Sequence, residues 1–140
     1  MLPHATRVVR YGERTLPIYG PGQAGAEGFV NHDPSQAVDW SYTPPELIGV
    51  RDAFGLYVDG DSMTDAGLPE GTLVHVHPHR RPRPGQFCVL VKTDGSTFIK
   101  RYVGLRGGKM LLAQSNPSKE LEIPETQVRA IFLITSAVFA

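Results

Sequence analysis

The sequence predicts an all-β chain, twisted and partly closed on itself, with at most short helical turns. Apolar residues alternate with period two in short runs, clearest in Phe54-Gly55-Leu56-Tyr57-Val58 and Leu73-Val74-His75-Val76-His77. Turn signals separate the runs at Gly60-Asp61, Asp94-Gly95 and Arg106-Gly107-Gly108-Lys109. No stretch beyond a turn or two carries helical periodicity, and no internal repeat is present. Many short strands with turns between them pack as curled sheets rather than as helical layers.

In order along the chain, residues 7–10 and 15–18 read as short strands around a turn at Gly12. Residues 20–45 read as a loop, rich in glycine early and carrying Pro34, Pro44 and Pro45 later. A loop of that length inside a compact domain is usually functional or mobile. Pro45-Glu46-Leu47-Ile48-Gly49 reads as one helical turn, with proline at its permitted first position. The strand at residues 54–58 then runs into Gly60-Asp61 and delivers Ser62 and Met63 just past its end. A connector over residues 64–71 leads to the strand at residues 73–77. There Leu73, His75 and His77 share a face that reads as polar and outward, and Val74 and Val76 share the other. His79-Arg80-Arg81-Pro82-Arg83-Pro84 is a basic, solvated turn. Residues 87–92 and 97–103 form a hairpin around Asp94-Gly95, which puts Lys100 on a central strand. A further strand at residues 110–113, a loop punctuated by Asn116-Pro117 and Ile123-Pro124, and a long strand over residues 128–139 complete the chain.

With 140 residues the chain is one domain, long enough to bury one core. Acidic and basic residues balance at 14 each, which argues against a free-standing nucleic-acid binder. Cys88 is the one cysteine, set in an apolar strand; it suits a reducing cytosol and reads as a small buried hydrophobe. The first ten residues lack the apolar core of a signal peptide, and the apolar run near the C-terminus is too short to span a bilayer. A soluble cytoplasmic protein is expected.

The chemistry centres on Ser62 and Lys100. A hydroxyl at a strand-to-turn corner is well placed as a nucleophile, but it needs a base. The five histidines (His4, His32, His75, His77, His79) form no constellation with Ser62. Lysine serves instead where burial disfavours its charged form, and Lys100 lies in the β-rich run Thr97-Phe98-Ile99-Lys100-Arg101-Tyr102-Val103, sharing a face with Phe98 and Tyr102. Taken singly, Ser62 also reads as a plain turn residue and Lys100 as a solvated strand lysine. His75, His77 and His79 have alternating spacing open to a metal. No cysteine or paired carboxylate accompanies them, however, and Pro78 breaks the strand, so no metal and no cofactor are expected.

The joint pattern is more specific. Tyr57-Val58-Asp59-Gly60-Asp61-Ser62-Met63, Pro69-Glu70-Gly71-Thr72-Leu73-Val74, Pro84-Gly85-Gln86-Phe87-Cys88-Val89-Leu90-Val91 and Phe98-Ile99-Lys100-Arg101-Tyr102 together resemble the LexA-like serine peptidases. That family includes LexA, lambda-type phage repressors and UmuD, and the details are most similar to the prophage repressors. The resemblance runs from about Thr15 to the C-terminus.

It implies the LexA/signal-peptidase-like β-fold, with Ser62 as nucleophile, Lys100 as general base, and a scissile bond upstream. Ala24-Gly25 is the one Ala-Gly pair before Ser62. Its small side chains let a backbone approach a nucleophile closely, although composition alone would read the segment as a flexible loop. Backbone N–H groups at Asp61 and Ser62 are the expected oxyanion donors. Residues 1–45 would then carry the N-terminal strands and the cleavage-site loop, and residues 46–140 the peptidase and dimerisation core.

The resemblance also implies a homodimer formed through the C-terminal domain, and self-cleavage promoted by a RecA filament on single-stranded DNA after DNA damage. Operator DNA would be bound only through an N-terminal helix-turn-helix domain, which this sequence lacks. The chain is therefore expected to be the C-terminal domain of a repressor, with a UmuD-like accessory subunit of a translesion polymerase or a non-catalytic dimerisation module as alternatives. A signal peptidase shares the Ser–Lys chemistry but needs a membrane anchor.

Overall fold

The structure, a computed structural model, describes residues 13–20, 23–25, 28–60, 63 and 66–139. The fold is all-β. Nine strands form one sheet in the order β2-β1-β3-β4-β9-β5-β6-β7-β8. They are β1 (Arg14–Tyr19), β2 (Asp39–Tyr42), β3 (Phe54–Tyr57), β4 (Leu73–His77), β5 (Phe87–Lys92), β6 (Thr97–Arg106), β7 (Lys109–Ser115), β8 (Ser118–Pro124) and β9 (Val128–Val138). Three single 3-10 turns, Pro34–Gln36, Pro45–Leu47 and Glu125–Gln127, punctuate the strands, and no helix of greater length occurs among the described residues.

β9 is the seam. It pairs antiparallel with β4 from Leu73↔Val138 to His77↔Leu133, and with β5 from Cys88↔Leu133 to Lys92↔Val128. β3 and β6 are separated in the sheet by β4, β9 and β5, yet Leu56 and Tyr57 of β3 and Ile99 and Lys100 of β6 line one cavity. The sheet therefore curls toward itself. Closure into a barrel would require its first and last strands to pair, and among the described residues β2 and β8 pair with no further strand. The charged run Lys119-Glu120-Leu121-Glu122 on β8 is the composition that discourages pairing with another chain.

Two strands depart from the sequence expectation. β2 lies inside the stretch read as loop, because Asp-Trp-Ser-Tyr is too short a run to announce a strand and its aromatic residues, Trp40 and Tyr42, stay exposed. Backbone pairing to β1 (Pro17↔Trp40, Ile18↔Asp39) makes the strand. β8 likewise occupies residues expected to be loop. Its charged side chains face water, and a seven-residue ladder with β7 holds it. β6 and β7 also run longer than predicted.

One large cluster joins Phe29, Phe54, Val58, Met63, Val74, Val89 and Phe132, and a second joins Cys88, Leu90, Tyr102, Met110 and Leu112. Phe29 and Phe54 stack at 4.8 Å between centroids, and Phe132 meets the Phe54 edge at 5.8 Å. Such pairs add about 0.5–1.5 kcal/mol beyond the area they bury. β1 runs parallel to β3 with Ile18 opposite Gly55. A Cβ on Gly55 would stand 2.9 Å from Leu73 Cδ1, so glycine there lets three strands approach closely.

His75 corrects the reading of its strand. Rather than facing water, it is 4% exposed, and its Nδ1 lies 2.7 Å from Ser136 Oγ, which donates to Glu46 Oε1 at 2.7 Å. The histidine is a satisfied interior group that ties β4 to β9 and to the turn before β3. Burial pushes its pKa below 6.5, and the Glu46 carboxylate opposes that shift. His77 is half-buried and His79 exposed, and no cluster of three or more potential metal ligands occurs among the described residues.

Candidate active site

Lys100 is where strand pairing would put a precisely held base. It sits in β6 opposite Cys88 of β5, with Arg101, the next residue, opposite Ala113 of β7. Phe98 and Tyr102, two positions to either side, belong with the second core cluster. The outcome is a lysine only 7% exposed. Burial lowers its pKa below the usual 10.5, and the positive charge of Lys119 lowers it further.

Lys100 borders a cavity of about 360 Å³. Across it stand Val58 and Asp59, following β3, and Met63. Asp61 and Ser62 lie outside the described residues, but both flanks of their corner are defined. Val58 N–H donates to Thr72 O at 2.8 Å, and Gly71 N–H donates to Val58 O at 2.9 Å. Gly60 has φ +85°, a left-handed conformation suited to glycine, and its N–H reaches Glu70 Oε1 at 3.4 Å. On the far side, Met63 O accepts from Ala66 N–H at 3.2 Å and Leu68 N–H at 3.0 Å, and Ala66 N–H also reaches Ser115 Oγ of β7 at 3.2 Å. Gly60 and Met63 are thus both held by hydrogen bonds, and Met63 lines the cavity that Lys100 borders.

The segment around Ala24 meets the same cavity. Gly20 and Phe29 line it, and Ala24 is 1% exposed in the cluster that includes Val58 and Met63. The segment is folded tightly: Gln23 N–H donates to Gly20 O at 3.2 Å, Phe29 N–H to Gln23 O at 3.0 Å, and Gly28 N–H to Gly25 O at 3.0 Å. A Cβ at Gly28 would overlap the Gln23 carbonyl, whereas Gly25 has open space around it. Ala24 is therefore buried in the core cluster, in a segment whose Gly20 and Phe29 line the cavity, in place of the free loop that its composition suggests. Strand periodicity could not single out Phe29 or Gln23. Phe29 is an isolated aromatic in a glycine-rich stretch, and Gln23 works through hydrogen bonds that no pattern records.

A second cavity, of about 390 Å³, lies between β1, Trp40, His32 and the Gly49–Ala53 bend. It is slightly larger, but neither Lys100 nor a residue flanking Ser62 lines it. The cavity at Lys100 is the candidate site.

The chain is similar to known proteins over most of its length. The Peptidase S24-like family profile matches residues 17–133. Repressor protein C of Rhizobium phage 16-3 is 33% identical over 133 residues, covering 89% of this chain and 50% of that protein. LexA repressors of Paramagnetospirillum magneticum and Acidiphilium cryptum are 30% and 32% identical over 109 and 111 residues. Each alignment covers 78% of this chain, and 45% and 46% of the respective repressor. The chain spans about half the length of these relatives. With a matching profile across most of its length and a buried lysine at the cavity, the chain belongs to the Peptidase S24-like family.

Proposed function

We propose that this chain is the self-cleaving Ser–Lys peptidase domain of a LexA- or phage-type repressor, cutting its own Ala24-Gly25 bond. The observation that carries the reading is the buried, pKa-lowered Lys100, on a cavity bordered by residues flanking Ser62 and by the segment that holds Ala24. Neutral Lys100 takes the Ser62 proton as Oγ attacks the Ala24 carbonyl carbon. N–H groups at Asp61 and Ser62 stabilise the oxyanion. The intermediate collapses as the C–N bond breaks, and protonated Lys100 gives its proton to the departing Gly25 amine. Water, deprotonated by Lys100, then hydrolyses the Ser62 ester and restores the site.

In this reading residues 1–45 supply the substrate segment and residues 46–140 the peptidase core. Exposed Val138 and Phe139, at 53% and 64%, extend an apolar end that suits homodimer contact. The wider role follows the repressor relatives: a cytoplasmic regulator cut in the DNA-damage response with a RecA filament as promoter of docking, and operator DNA bound by a separate helix-turn-helix domain. No helix among the described residues is long and apolar enough to cross a membrane.

The test is intact mass after incubation at neutral and alkaline pH, with Ser62→Ala and Lys100→Ala alongside. Two fragments meeting at Ala24 and Gly25, formed faster at high pH and in neither variant, are expected. A chain that stays whole under every condition, RecA filament included, refutes the peptidase and leaves a dimerisation module.

A further inference from the structure

We infer that Gln23 is a positioning residue, a clamp that closes the neck of the segment carrying the scissile bond and holds that segment against the site. The inference rests on the self-cleavage reading and extends it to what keeps the substrate docked. All four polar groups of Gln23 are engaged in closing that neck. Its N–H donates to Gly20 O at 3.2 Å, and its carbonyl accepts from Phe29 N–H at 3.0 Å. Its side-chain Oε1 accepts from Gly20 N–H, and its Nε2 donates to Gln36 O at 3.1 Å.

These partners are not equivalent. Gly20 follows the last residue of β1, and Gln36 ends the 3-10 turn that leads into β2. One side chain therefore joins the exit of the segment from β1 to its return toward β2. Each end demands a different group, since Gly20 N–H needs an acceptor and Gln36 O needs a donor. A primary amide supplies both, whereas a carboxylate supplies only acceptors and an aliphatic side chain neither.

The main-chain bonds of Gln23 address the cavity itself, because Gly20 and Phe29 both line it. The clamp thus links the neck of the segment to two walls of the site while Ala24, the next residue, is buried in the core cluster. Gln23 touches no reacting atom in this arrangement. Its effect is on the fraction of chains in which the bond is presented, and the rate scales with that fraction.

The experiment compares the unaltered chain with Gln23→Ala and Gln23→Glu by intact-mass time courses across pH. Labelling of Ser62 by a fluorophosphonate is followed in parallel as a readout of the Ser–Lys pair alone. Loss of both side-chain bonds is expected to slow self-cleavage roughly tenfold at every pH. The midpoint of the pH profile should stay in place, and Ser62 labelling should be as fast as in the unaltered chain or faster. Gln23→Glu, which places a carboxylate oxygen against Gln36 O, is expected to be no better than Gln23→Ala. Equal cleavage in the unaltered chain and both variants overturns the clamp, and so does a labelling rate that falls in step with cleavage, since that marks damage to the scaffold. A moved pH midpoint overturns it too, by placing the effect at Lys100. An unaltered chain that neither cuts nor labels refutes the Ser–Lys reading itself, a result distinguishable from the others.

Discussion

Replacing Lys100 with arginine separates the charge of that side chain from its capacity to lose a proton. Lys100 is 7% exposed, and burial together with Lys119 holds its pKa below 10.5. A guanidinium in the same place stays protonated throughout the range in which proteins remain folded. The variant keeps a long cationic side chain and loses the base, so self-cleavage should fall by about 10²–10⁴-fold. On the proposed mechanism, the rate in the unaltered chain should follow the neutral fraction of Lys100. It should climb about tenfold per pH unit below the folded-state pKa and level off above it.

Lys119→Gln tests the electrostatic part of the same argument. Removing a nearby positive charge raises the Lys100 pKa and leaves less neutral base, so cleavage below the midpoint should slow by roughly twofold, and by less in high salt. Stability carries the matching sign. With the folded pKa depressed, the unfolded chain holds the proton to higher pH, so stability rises as pH climbs from the folded value toward 10.5. Intact-mass time courses across pH measure the rates, and urea melts at the same pH values measure the stability. Cleavage by Lys100→Arg within about threefold of the unaltered chain would remove Lys100 as the base, and a flat pH profile in the unaltered chain would refute the titration argument.

Gly28→Ala should slow self-cleavage at least as much as Gln23→Ala, since its Cβ would overlap the Gln23 carbonyl and open the turn; the same mass assay reads it. Phe29→Ala should cost about 3–5 kcal/mol in urea unfolding, because a fully buried ring between Tyr19, Phe54 and Phe132 leaves a cavity behind. Ser136→Ala should cost about 1–3 kcal/mol in a thermal melt near neutral pH by leaving His75 Nδ1 buried without its partner. As pH falls below 6.5 the unfolded chain takes up the His75 proton first, so the unaltered chain should lose stability toward the folded-state value.

What the sequence made legible follows from what side-chain patterns record. β4 and β5 have the residues predicted for them, because strands buried by alternating or continuous apolar residues announce themselves. β2 and β8 were hidden because backbone ladders create them while most of their side chains face outward, Leu121 and Ile123 of β8 excepted. The burial of Lys100 was legible from its neighbours Phe98 and Tyr102. That of His75 was not, since its polar partners come from Glu46 and Ser136, 29 and 61 residues away in sequence. The turn at Ala24 was hidden for a related reason: Gly-rich composition describes the freedom of a segment and not the hydrogen bonds that fix it.

The two halves of the proposed reaction are held by unequal means, and that inequality says where control would act. Lys100 lies on a strand with a five-pair ladder to β5, itself paired to the central β9. Moving it would require breaking the middle of the sheet. The Ala24 segment is held by the bonds around Gln23, Gly25 and Gly28 and by burial of the Ala24 methyl group and the Phe29 ring. Opening that segment leaves the sheet ladders intact. Under the proposed reading, control needs a rate set by something adjustable, and a base fixed in the sheet facing a substrate segment held outside the strand ladders meets that need. Conditions or partners that change cleavage should therefore act on the Gln23–Phe29 turn, changing the height of the pH–rate plateau while its midpoint, set by the burial of Lys100, stays where it is.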